Sequence, residues 1–158
     1  MTAIVSEPNW SELLQIVNRS YFKLIIIVGV IGSGKTQLLK EFTSYGFANL
    51  NFGEEFSRRL INTPPQSRAA DAEELAIDLI ESQNSRKIAI DNTEVLFEQP
   101  LELNPLALLK RCSLNHVIIA TWTGEVDETK LTYGIPGHPA HQIFPYSKQD
   151  TFIIVPTI

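Results

Sequence analysis

The chain has 158 residues, 44% hydrophobic and 20% charged, with a net charge of −5. This balance excludes a disordered chain and argues against a self-sufficient nucleic-acid binder, which would carry a basic domain. The single Cys112 excludes an internal disulfide framework and fits a reducing compartment, and the longest apolar run, around Leu24 to Ile31, is too short to span a bilayer.

Length sets the expectation of one domain over 1–158. A basic segment followed by an apolar stretch is missing from the N-terminus, so a cytoplasmic protein is expected. Trp10, Leu13, Leu14 and Val17 recur at helical spacing, with Asn9 and Glu12 spaced as a capping box. The β-branched run Leu24 to Val28 reads as a strand buried on both faces. Residues 29–36, "GVIGSGKT", follow it in the pattern G-x-x-x-x-G-K-[ST], a P-loop.

Each residue type in that stretch has a chemical reason. Gly29, Gly32 and Gly34 let the backbone approach an anion and tolerate positive φ. Such a loop points successive N–H groups, those of Val30, Ile31 and Ser33 among them, into one concavity that binds phosphate oxygens. The helix starting near Gly34, with Lys35, Thr36 and Gln37 in its first turn, adds a positive end. Lys35 supplies an ammonium for the β and γ phosphates, at the mouth of the site and outside the core. Thr36 supplies a hydroxyl for Mg²⁺. The bland alternative is a bare glycine-rich turn.

Leu38, Leu39 and Phe42 give this helix an apolar face, and Gly46 stops it. Residues 47–52 read as a second strand and "GEEFSRRL" as a short helix. After the loop "NTPPQSR", Asp71 and Glu74 are placed to cap a helix striped by Ala72, Leu75, Ala76, Leu79 and Ile80. "KIAID" is a buried strand ending in Asp91, the position of a Walker B acid beside magnesium; a turn aspartate is the alternative. Asn92 follows where many hydrolytic P-loop proteins carry Glu, and the next acid is Glu94. Glu94 either orients water or is a solvated loop acid. Asn104 and Pro105 start the next helix, which ends at Cys112, read as a buried structural thiol.

"HVIIATW" is a further strand, ending in Thr121 and Thr123; Thr123 is placed to contact a γ-phosphate or attacking water, or is a plain strand-end threonine. Residues 124–149 show no clear period, and "TFIIVPTI" forms a final strand. Arg58 and Arg59, the one adjacent arginine pair, read as a solvated helix face, and His138 with His141 as a loop pair rather than a metal site. Strands alternating with helices predict an α/β fold: a three-layer P-loop NTPase core around a five-stranded, mostly parallel sheet, with ligands at the carboxyl ends of the strands.

The order of loop strand, "KIAID", "HVIIATWTG" and final strand resembles the core of an AAA+ ATPase over nearly the whole chain. The resemblance implies ATP and Mg²⁺ as ligands. The sequence stops at Ile158, so the helical lid domain and its arginine are expected to be missing; the acid after Asp91 is displaced and the arginine before the last strand is absent. "GVIGSGKT", "IDNTEVLF", "ATWTGE" and "LTYGIPGHPAHQIF" together are similar to the small P-loop (BrxF) family of type III BREX phage-defence systems. That resemblance implies an ATPase or switch subunit acting beside a DNA methyltransferase and other defence components, with a homo-oligomer left open and any DNA contact indirect or within a complex. A small-molecule or nucleotide kinase, or a nucleotide-binding module without useful turnover, are the rival readings.

Overall fold

The computed structural model describes residues 3–134, 141–147 and 149–157. Its sheet runs β1 (Ala3–Ile4), β8 (Ile153–Pro156), β2 (Leu24–Gly29), β5 (Val117–Val126), β4 (Lys87–Asp91) and β3 (Ala48–Asn51), all parallel. At its carboxyl end β5 leaves this path and pairs antiparallel with β6 (Lys130–Tyr133), which pairs with β7 (Gln142–Pro145).

The parallel α/β architecture is as expected, but five strands was an undercount: the sheet has eight among the described residues. The extra strands carry weak signals. β1 is two exposed residues, and β6 and β7 are four residues each of mixed polarity. The stretch 124–149, which shows no period in sequence, contains this hairpin.

Strand alternation divides the core in two. Leu24, Ile26 and Val28 of β2 face a cluster with Phe52, Phe56 and Leu60 of α3 (Phe52–Ile61), Ala76 and Ile80 of α4 (Arg68–Glu81), and Leu109 of α5 (Pro105–Cys112). Ile25 and Ile27 face the other cluster, with Leu13 and Val17 of α1 (Trp10–Asn18) and Leu39 of α2 (Lys35–Lys40). Helices therefore cover both faces, and every residue of β2 is buried. Burying the apolar side chains of such a strand stabilises by about 1.5–3 kcal/mol each.

Local signals set the helix ends. The side chain of Asn9 accepts from the Glu12 amide at 3.2 Å, and Asn104 from the Ala107 amide at 3.1 Å, with Pro105 in the first turn. Gly46 takes φ +86 and ends the 3₁₀ turn after α2. The expected capping by Asp71 is corrected: α4 begins three residues earlier, at Arg68, and Asp71 lies inside its first turn. An acid there still favours the positive helix end without bonding as a cap. Cys112 is buried at the end of α5, as read.

Candidate functional site

The carboxyl ends of β2, β5 and β4 lie side by side along one sheet edge. Gly29 pairs with Thr123 across β2 and β5, and Asp91 ends β4 one strand further. Neighbouring strands are about 4.8 Å apart, so the glycine-rich loop and Asp91 flank β5 on either side at roughly 10 Å.

The loop between β2 and α2 has the backbone that its glycines allow: Gly32 takes φ +82 and Gly34 φ +91. Val30 and Ile31 are exposed at its tip, Ile31 to 87%. Thr36 and Gln37 are exposed on α2. Lys35 departs from the expectation of a group outside the core. It is only 8% exposed, and its Nζ donates to the carbonyls of Gly29 at 3.0 Å and Val30 at 2.9 Å. The ammonium thus folds back under its own loop, where two carbonyls of the turn accept from it. Burial lowers its pKa, opposed by the nearby charges of Glu94 and then Asp91.

Two carboxylates each meet a threonine of β5. Thr121 Oγ1 donates to Asp91 Oδ1 at 3.1 Å, and Thr123 Oγ1 donates to Glu94 Oε1 at 2.8 Å. Both threonines are buried, whereas Glu94 is exposed and is held at one carboxylate oxygen by Thr123. Glu94 reaches Thr123 because the chain turns sharply after β4: Asn92 sits at φ +56 and residues Thr93–Phe97 form a 3₁₀ turn. Thr93 Oγ1 donates to the Thr121 carbonyl at 2.6 Å and holds that turn against β5.

Asn92 is fixed from the other side. Its Nδ2 donates to Asn51 Oδ1 at 2.8 Å, and Asn51 also caps α3 through the Glu54 amide at 3.3 Å. Gly53 permits this approach, since a Cβ there would lie 2.8 Å from the Asn92 carbonyl oxygen. At the far side of the loop, Thr157 bonds Ser33 Oγ at 2.8 Å and Val28 O at 3.1 Å. Neither Asn51 nor Thr157 is legible as a site residue in sequence. Asn51 carries the signal of a helix cap; Thr157 carries none.

Two cavities border the loop. Thr36 and Asp91 line one of about 270 Å³, with Asn49, Asn51 and Asn92. Val30, Ile31, Glu94, Thr123 and Tyr133 line a second of about 310 Å³, mostly apolar. Tyr133 stacks on Phe97 at 3.8 Å, and its pKa is raised by burial, then by Glu94 and Glu98. Lys35, Thr36, Asp91, Glu94 and Thr123 are thus brought to one edge, while Gln37 lines neither cavity.

No cluster of three His, Cys, Asp or Glu side chains suited to a metal exists among the described residues. One hydroxyl and one carboxylate on a shared cavity nevertheless fit Mg²⁺, which keeps several waters and takes its other oxygens from a phosphate ligand. His138 lies outside the described residues. Arg58 is exposed and paired with Glu54 and Glu55, as a solvated face requires. No helix among the described residues is long and apolar enough to cross a membrane.

No protein-family model matches the chain, and no curated protein matches it either. Among solved structures, the structure of C. elegans PCH-2 is similar at 15% identity with a TM-score of 0.42, covering 92% of this chain and 40% of the other. A TM-score of that size bears on neither mechanism nor partner.

Proposed function

We propose that the chain is an ATP-binding P-loop NTPase, a weak or partner-activated ATPase or switch. The observation that carries the reading is the pairing of Asp91 with Thr121 and of Glu94 with Thr123 beside a glycine-rich loop that holds a lysine. The loop amides and Lys35 bind phosphate oxygens. Thr36 and Asp91 hold Mg²⁺, which neutralises phosphate charge when bound. Glu94, anchored by Thr123, orients the attacking water and accepts its proton.

Slow turnover is expected because, among the described residues, no arginine lines either cavity. Arg58, Arg68 and Arg111 bond within α3 to α5, to Glu55, the Leu60 carbonyl and Glu73. An arginine supplied in trans is worth roughly 10³ to 10⁵ in rate in P-loop enzymes. A module that binds nucleotide without useful turnover is the second reading. The tie of Asn92, next to Asp91, to Asn51 favours it, because the residue after the metal acid is committed to the fold.

A subunit of an anti-phage BREX complex is the finer proposal. It rests on "GVIGSGKT", "IDNTEVLF", "ATWTGE" and "LTYGIPGHPAHQIF" together, with the Tyr-Gly-x-Pro-Gly-His-Pro sequence within the last carrying the narrower suggestion. The test is ATP titration with and without Mg²⁺, followed by phosphate release across a wide range of protein concentration, alone and with the products of neighbouring genes. Mg²⁺-dependent binding with turnover far below about 10 s⁻¹, raised by assembly or partners, supports the reading. Absence of ATP binding overturns it. Binding without phosphate release selects the second reading, and release only with an added acceptor selects a kinase. Failure to co-purify with neighbouring gene products removes the BREX assignment.

A further inference from the structure

We propose that Thr157 is a positioning residue for the glycine-rich loop: its hydroxyl links Ser33 to the end of β2 and keeps the loop in the shape a phosphate meets. The ligand half of this inference rests on the nucleotide reading above; the loop half does not.

Thr157 follows β8, 124 residues from Ser33 in sequence. Its amide donates to the Val28 carbonyl at 2.7 Å, which fixes the residue beside the last turn of β2. Its Oγ1 then lies 3.1 Å from the same carbonyl and 2.8 Å from Ser33 Oγ. A hydroxyl carries one hydrogen, and a carbonyl only accepts. Both contacts hold together when Thr157 donates to Val28 and Ser33 donates to Thr157. Gly29 closes the arrangement, since a Cβ there would collide with the hydroxyls of both Thr157 and Ser33.

The loop is gripped at two points. Lys35 holds the carbonyls of Gly29 and Val30, and Thr157 holds Ser33. The first grip is released when the ammonium turns to a phosphate. The second uses the Ser33 hydroxyl and leaves the Ser33 amide out of the contact, so it does not compete with a phosphate for the loop amides.

The test compares wild type, Thr157→Val, which keeps the volume and removes the hydroxyl, and Thr157→Ser, which keeps the hydroxyl. Hydrogen exchange of the loop amides 30–36 is followed without ligand, and MgATP affinity is measured by titration. One hydrogen bond corresponds to about a two- to tenfold change. Thr157→Val is expected to speed exchange in the loop by that factor, leave β5 and α4 unchanged, and weaken MgATP binding similarly. Thr157→Ser restores both. Unaltered loop exchange in Thr157→Val, or equal loss in both variants, overturns the proposal. If wild type takes no ATP, the nucleotide reading falls and the exchange result alone decides the role of Thr157. Should Thr157→Val fail to fold, Ser33→Ala breaks the same chain from the loop side, and unchanged loop exchange there refutes it.

Discussion

Lys35→Ala tests the geometry of the loop twice over. In the free protein Nζ makes two bonds to carbonyls from a site 8% exposed. Bonds from a charged donor are worth about 1.5–3 kcal/mol, but three features lower the net loss. The Val30 carbonyl keeps the Ser33 amide at 3.1 Å. Burial already penalises the ammonium, as its lowered pKa records. The small alanine also leaves room for water to reach the Gly29 carbonyl. The loss of stability is therefore about 1–2 kcal/mol. In a domain of this size, 1 kcal/mol moves Tm by roughly 2–4 °C, so the variant melts roughly 2–8 °C lower by calorimetry.

Nucleotide binding suffers separately, by about 1.5–3 kcal/mol, or roughly 10- to 150-fold in Kd, read by titration. The pH dependence has two opposite signs. Because the folded-state pKa lies below 10.5, the free protein gains stability as pH rises through that lowered value toward 10.5. Nucleotide affinity, which needs the ammonium, weakens over the same window, and Lys35→Ala shows neither trend. An unshifted melt with normal affinity refutes both halves of the reasoning.

Asp91→Asn keeps the volume and a partner for Thr121; it should abolish most of the gain in ATP affinity from Mg²⁺ while leaving metal-free binding nearly unchanged, and equal wild-type affinity with and without Mg²⁺ would contradict the metal role. Cys112, whose pKa burial pushes up to about 12, should resist thiolate-directed alkylation at pH 8 until the protein is denatured, and reaction of the native protein at a free-thiol rate would disprove its packing. Phe97→Ala removes a ring that stacks on Tyr133 and meets Trp122 edge-on at 4.8 Å; a loss of about 3–5 kcal/mol is expected, with a change in Trp122 fluorescence, and a wild-type melting curve would rule that packing out.

The parts that sequence makes legible are those where a local rule decides. The continuous apolar runs of β2, β4 and β5 have no surface-compatible alternative, and Asn9 and Asn104 cap where a short polar side chain precedes a helical stripe. The loop spacing likewise fixes which residues can surround an anion. What stays illegible depends on register between distant strands. That Thr121 lies level with Asp91, and Thr123 with Gly29, follows from β5 entering between β2 and β4, which no local pattern encodes. The burial of Lys35 was hidden because lysine is read as a surface residue, and its partners are backbone carbonyls. The hairpin of β6 and β7 is held by Trp122, Tyr133 and Phe144 meeting Phe97 from 25 to 47 positions away in sequence, so its strands need little hydrophobic pattern of their own.

The hydrogen bond between Glu94 and Thr123 has both of its ends moored to that same hairpin. Three residues beyond Glu94, Phe97 stacks on Tyr133 of β6; one residue beyond Thr123, Gly124 pairs with Tyr133, and the Gly134 amide donates to the Thr123 carbonyl at 3.1 Å. Any push on the hairpin from outside therefore carries donor and acceptor together, like two pegs on one board. Their separation is insulated from such motion, and because Thr123 also pairs with Gly29 across β2 and β5, the strand end that feeds the glycine-rich loop is tied to the same board.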